Sequence, residues 1–188
     1  MILTFRNFLI IVLFSILLSN PAKAQPRTGR FIDVSVGLAV TVPDDNIDVV
    51  GRGFSAQGEY VFGLSRWIGI RPYAGIILTS ADKYREYEKD YKVTSKAFLV
   101  GGKARICAPI PWVAPYFETG IGASIGSFET YTSLTDQKKN GILMHIPLSM
   151  GLAIGRKHNF DFGVTYYFTP SAEQASGGWI FGFTFPLQ

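Results

Sequence analysis

Cysteine is nearly absent from the chain. Cys107 is the only one, which excludes an intrachain disulfide framework and any zinc site built from several thiolates. Charge is scarce too: Asp, Glu, Lys and Arg make up 17% of the residues, against about 25% in ordinary soluble domains. That rules against a coiled coil or a long charged helix, and the 47% hydrophobic content rules against disorder. The two histidines, His145 and His158, lie far apart in sequence, so no His/Cys metal cluster is expected. There is no Gly-rich phosphate loop, and no cofactor is expected. Past residue 24 no apolar run reaches the roughly 17–25 residues of a membrane-spanning helix. What the chain does have is 15 Phe, 9 Tyr and 20 Gly, and a mean hydropathy of +0.20 that is high for a water-soluble domain.

Residues 1–24 read as a secretory signal peptide. Arg6 is the positive start, Phe8 to Leu18 an uncharged apolar stretch, and Ala22-Lys23-Ala24 a small-x-small cleavage site after Pro21. Cleavage there leaves 25–188 as a single domain. It removes Arg6 and Lys23 and so lowers the formal charge from +4 to +2. The basic balance of the whole chain is then a weak signal, and no nucleic-acid partner is expected.

The mature chain alternates with a period of two, the signature of strands with unlike faces. Ile32 to Val42 alternates with Asp33, Ser35, Gly37, Ala39 and Thr41. The habit recurs over Phe54–Phe62, Ile68–Thr79, Phe98–Ile106, Phe117–Gly126, His145–Ile154, Phe160–Phe168 and Trp179–Phe185. Eight such segments of about 9–12 residues fit tilted strands crossing a bilayer, which need about 9–11, better than soluble strands of about five or six.

The connections alternate between long and short. The long ones are 43–53, 80–91, 127–141 and 169–177; the short ones are Gly63 to Arg66, Cys107 to Trp112 and Gly155 to Asn159. Outer-membrane barrels have short periplasmic turns and longer external loops, and an even strand number places both termini on the periplasmic side. The two faces differ as sharply. One phase carries no Asp, Glu, Lys, Arg or His. The other carries Asp33, Glu59, Arg71, Lys103, Arg105, Glu118, His145 and Asp161, together with most of the glycines. Eight strands close on an interior that side chains just fill, and lipid tolerates no open sheet edge. The expected fold is therefore all-β: an eight-stranded, antiparallel, up-and-down transmembrane β-barrel with a polar lumen of balanced charge. Trp67, Trp112, Tyr116, Tyr166 and Trp179, near strand ends, are expected in interfacial girdles.

The segments Phe160-Asp-Phe-Gly-Val-Thr-Tyr-Tyr-Phe168 and Trp179-Ile-Phe-Gly-Phe-Thr-Phe185 carry a resemblance. Over about 31–185 the chain resembles the small eight-stranded outer-membrane β-barrels of Gram-negative bacteria, the porin-like or outer-membrane-protein-A-type barrel domains. The resemblance implies insertion by the barrel-assembly machinery, which reads the aromatic last strand. It also implies contact with outer-membrane lipid and lipopolysaccharide. The chain departs from the usual ending, because Pro186, Leu187 and Gln188 follow Phe185.

The lumen charges read as a structural network of ion pairs, or alternatively as an ion-selective path. His145 reads as a hydrogen-bonded filler and His158, in a short turn, as solvated. No acid is placed to orient His145 toward a nucleophile, so no enzymatic activity is expected. The charged loop 82–92 offers Tyr84, Arg85, Tyr87 and Tyr91 as contacts for a surface protein or polysaccharide, since Tyr and Arg commonly anchor interfaces. Lys138 and Lys139 could meet lipid phosphates. The expected role is structural or adhesive, through the external loops. The alternatives are a narrow channel for small ions or solutes, and a soluble periplasmic carrier of lipocalin type. Glycines 120, 122 and 126 leave room for local water pockets on this reading.

Overall fold

A computed structural model of the chain describes residues 28–44, 50–81, 84–86, 89–131 and 136–187. The proposed signal segment, residues 1–24, lies outside them. Nine strands follow in order: β1 (Gly29–Pro43), β2 (Gly51–Gly63), β3 (Ile68–Ala81), β4 (Tyr84–Glu86), β5 (Lys89–Cys107), β6 (Val113–Tyr131), β7 (Asp136–Ile154), β8 (Phe160–Thr169) and β9 (Gln174–Pro186). A 3-10 turn over Pro170–Ala172 joins β8 to β9.

The hydrogen-bonding order is β3-β2-β1-β9-β8-β7-β6-β5-β4, and a further β3–β5 pairing closes the ring. Eight strands therefore form an antiparallel closed barrel. The three-residue β4 stands apart and pairs only with β5, Tyr84 opposite Tyr91. Closure gives every long strand a partner on both sides and leaves no edge, the one sheet geometry that hydrocarbon tolerates. Two ladders are interrupted, and each break holds a proline. Between Glu59↔Tyr73 and Phe62↔Ile70 the β2–β3 pairing skips Pro72. Between Thr119↔Leu148 and Gly122↔His145 the β6–β7 pairing skips Pro147. A proline has no N–H to donate to the ladder.

The strands run further than the alternation alone indicates. β5, β6 and β7 are each 19 residues long, so 127–131 and 136–141, read from sequence as loop, are paired strand. Tyr131 is matched with Asp136 and Phe128 with Lys139. The backbone ladder carries the strands onward where the side chains no longer alternate by polarity.

The outer face is apolar. Leu38, Met150, Ile121 and Phe181 are each more than half exposed. The interior is layered instead. At the short-turn end sit Cys107, Ala114, Tyr116 and Ala153. Above them come the buried charges, then Tyr73, His145 and Tyr167. Next is an apolar layer of Ala39, Ile77, Ala97, Leu99 and Phe128. Hydroxyls of Thr41, Thr79, Thr130 and Ser176, all buried, line the long-loop end. An apolar outside around a polar inside is the inverse of what a lipocalin-type carrier needs.

Candidate functional site

Period-two pleating explains why so many charges converge. Asp33 on β1, Glu59 on β2, Arg71 on β3, Lys103 and Arg105 on β5, Glu118 on β6, His145 on β7 and Asp161 on β8 all point inward, and none is more than 5% exposed. Two carboxylates each lie within 3.2 Å of more than one cation. Glu59 accepts from Lys103 Nζ at 2.5 Å and from Arg71 Nη1 at 2.8 Å. Glu118 accepts from Lys103 Nζ at 2.8 Å, from Arg71 Nη1 at 3.2 Å and from Arg105 Nε. Arg105 also reaches Asp161 with Nη2, at 2.6 Å. The shared contacts link cations and carboxylates from five strands across the barrel.

Asp33 lies at the margin of this network. It is 3.9 Å from Arg71 Nη2 and accepts instead from the Thr184 hydroxyl at 2.5 Å. His145 meets no carboxylate. Its Nδ1 is 2.7 Å from Ser124 Oγ, and its Nε2 is hydrogen-bonded to Tyr73 Oη. Tyr167 packs edge-on against the imidazole and donates to Gln57 Oε1, while Gln57 Nε2 donates to Glu59 at 2.5 Å. Hydrogen bonds through Gln57 thus join the aromatic layer to the charges. The Ser124–His145 pair has the spacing of a nucleophile and base. Both members are buried, and the third group is a phenol where an orienting acid would be required.

Three expectations need correction. Tyr116 is not a girdle residue: it is buried, and the Arg105 guanidinium lies 3.8 Å above its ring. It sits two residues before Glu118 and so shares the inward phase. His158 is not solvated: it is buried, with Nε2 3.0 Å from the Ile110 carbonyl oxygen, so it ties the β7–β8 turn to the β5–β6 turn. The glycines do not leave water pockets. A Cβ on Gly122 would lie 2.4 Å from both His145 Nε2 and Tyr73 Oη, and one on Gly120 would lie 2.0 Å from the Gly102 carbonyl. These glycines are where rings and strands come close, and their space is filled. Gln57, Ser124 and Thr184 also belong to this site, without charge to single them out in the sequence. All three lie in the same phase as the charges, and that phase was the available signal.

At the long-loop end, Glu129 on β6 is clamped by two ammonium groups, Lys138 at 2.8 Å and Lys92. Hydrogen bonds from both hold its carboxyl down at about 2. Lys139 donates to the Ser171 carbonyl, Gln137 to Glu173 at 2.7 Å, and Thr130 to the Ala172 carbonyl at 3.2 Å. The 3-10 turn is thereby drawn over the barrel mouth, with Ala172 buried beneath it. Of the other loop residues singled out, Tyr84 and Arg85 stand on β4 and Tyr91 on β5. Tyr87 lies outside the described residues.

No protein-family model matches the chain, nor does any curated protein sequence. Solved structures do. Neisserial surface protein A (NspA) is similar at 14% identity with a TM-score of 0.55, over 85% of this chain and 98% of that one. OprG of Pseudomonas aeruginosa is similar at 14% identity with a TM-score of 0.49, over 85% and 97%. Ail of Yersinia pestis, solved with the heparin analogue sucrose octasulfate, is similar at 19% identity with a TM-score of 0.47, over 84% and 100%. With the closed eight-stranded ring, the NspA likeness shows that the chain has the fold of a small outer-membrane β-barrel.

Proposed function

We propose that the protein is a sealed, non-enzymatic structural barrel of the bacterial outer membrane, whose interactions are made by the long loops at its outward end. The observation that carries this is the filled lumen. Ion pairs from Arg71, Lys103 and Arg105 to Glu59, Glu118 and Asp161 tie the walls together, and aromatic and apolar layers lie above them. Opening a path would separate buried charges from their partners, which is costly in a low-dielectric interior. The loop-bearing end is left as the working surface. It has the longest strand extensions and the mixed charge of 82–92, a composition suited to a protein or polysaccharide partner. Both termini would then be periplasmic.

Orientation is tested by labelling intact cells with a membrane-impermeant maleimide. The natural Cys107 is buried and gives little background. A cysteine introduced at Lys138 should label in intact cells, and one at Arg66 only after the outer membrane is permeabilised. Labelling in the reverse pattern would refute the orientation.

A further inference from the structure

The two ends of the barrel differ in charge as well as in loop length. At the long-loop end the exposed Lys92 and Lys138 are both matched by Glu129. The short-turn end carries the exposed Arg30, Arg66, Arg156 and Lys157. Its turns 64–67, 108–112 and 155–159 contain no Asp or Glu. The carboxylates nearest this end, Asp33 and Asp161, point into the lumen and are held there by Thr184 and Arg105.

Beside these bases the outer wall is indented. A groove of about 630 Å³ is lined by Trp67, Ile106, Pro109, Pro115 and Phe117. It lies where the β2–β3 turn meets the β5–β6 turn, with Cys107 N–H bonded to the Trp67 carbonyl at 2.9 Å. Arg66 immediately precedes Trp67. The β7–β8 turn, with Arg156 and Lys157, is stitched to the other side of the β5–β6 turn by Gly155 N–H to the Trp112 carbonyl at 2.8 Å. The half-exposed Trp67 and Trp112 mark the level where the apolar band ends, since indoles favour the headgroup region.

We propose that this end of the barrel binds an anionic diacyl phospholipid of the periplasmic leaflet, with an acyl chain in the Trp67–Phe117 groove and the phosphate held by Arg66. The site rests on the membrane reading above and names one lipid class for it. Two independent features point to the same occupant. The groove is apolar and opens on the apolar band. The rim above it holds the exposed Arg66 and Arg156, and its turns contain no Asp or Glu; a zwitterionic headgroup would bring its own ammonium into this basic rim, whereas an anionic one brings only negative charge. Bases near an anionic membrane surface are attracted at close range, within about a Debye length.

The test uses the refolded full barrel with Trp112→Phe and Trp179→Phe, so that Trp67 is the only indole. It is placed in vesicles of phosphatidylcholine containing equal mole fractions of bromine-labelled phosphatidylglycerol or bromine-labelled phosphatidylcholine. Brominated phosphatidylglycerol should quench Trp67 at least about threefold more efficiently. Arg66→Gln should remove that preference while leaving the heat-dependent gel shift of the folded barrel intact, and Arg156→Gln should weaken it. Equal quenching by the two lipids would overturn the site and leave the membrane reading standing, and so would a preference that survives Arg66→Gln. No quenching by either lipid would overturn both.

Discussion

Arg105→Ala is the most demanding single test of the lumen. In the folded chain Arg105 donates Nε to Glu118 and forms an ion pair through Nη2 with Asp161, at 2.6 Å for the latter, and its guanidinium lies on the Tyr116 ring. Its removal affects the two carboxylates differently. Glu118 keeps Lys103 at 2.8 Å and Arg71 at 3.2 Å. Asp161 keeps only Arg71, at 3.7 Å, and remains a buried carboxylate without a close cation. Breaking a buried pair from one side costs about 3–5 kcal/mol. The lost cation–π contact costs about 1–2 kcal/mol. One side chain makes both contacts, so the two figures overlap and the expected loss is about 4 kcal/mol. That is a large part of the about 5–15 kcal/mol that stabilises an ordinary domain.

The assay is urea unfolding of the barrel in lipid vesicles, followed by tryptophan emission and by the heat-dependent gel shift. Arg105→Lys keeps the charge but loses the two-pronged guanidinium, and should fall between parent and Ala. Combining Arg105→Ala with Asp161→Asn should recover at least about 1 kcal/mol relative to the sum of the single losses, as expected for groups in contact. An Arg105→Ala barrel within about 1 kcal/mol of the parent, or strict additivity with Asp161→Asn, would refute a packed network.

The other expectations concern the wall, the glycines and the outer clamp. Leu148→Arg, at the centre of the outward phase of β7, should cost about 2–4 kcal/mol in the same vesicles, and a spin label at 148 should report lipid; water contact there would reverse the faces. Gly122→Ala puts a methyl where Tyr73 and His145 already sit and should cost about 1–3 kcal/mol as overpacking. Gly58→Ala, whose Cβ meets nothing within 4 Å, should fall within about 0.5 kcal/mol of the parent, as surface changes usually do. The Glu129 clamp has a carboxyl lowered from its ordinary 4.5 to about 2. Its contribution is therefore complete above about pH 4.5 and is lost as pH falls through about 2. A carboxyl-resolved NMR titration should find Glu129 still ionised at pH 4, and Lys138→Met should move its midpoint upward; titration near 4.5 in the parent would refute the clamp.

Much of this barrel is legible from the sequence because lipid demands consistency. Every outward position of β1 from Ile32 to Leu38 is apolar, since nothing polar is tolerated there, and the period of two then assigns the opposite face. The same argument places Glu118 and Arg105 inside. It does not pair them, because partners on neighbouring strands depend on tilt and stagger that no single strand encodes. Tyr116 reads as a girdle residue from its closeness to a strand end, yet its phase, shared with Glu118, turns it inward. His158 looked like an ordinary turn residue, and its partner, the Ile110 carbonyl, lies 48 residues away in sequence. The extended strands of β6 and β7 are hidden because the residues from Lys138 to Gly141 carry no apolar–polar alternation, and a cross-strand pair such as Glu129 with Lys138 is not marked by a period of two. The apolar layer of Ile77, Leu99 and Phe128 is hidden by its own chemistry, since an apolar residue facing inward interrupts the contrast on which the face assignment depends.

The central claim is a closed lumen, and planar-bilayer recording of the purified barrel tests it most directly. Interior side chains fill an eight-stranded ring, whereas water-filled porins use about 16–18 strands. The expected record is a flat baseline with no reproducible unitary current in the parent. Ion-selective unitary currents whose size changes with Lys103→Met or Glu118→Gln would contradict the sealed barrel and establish a conducting path through the charge network.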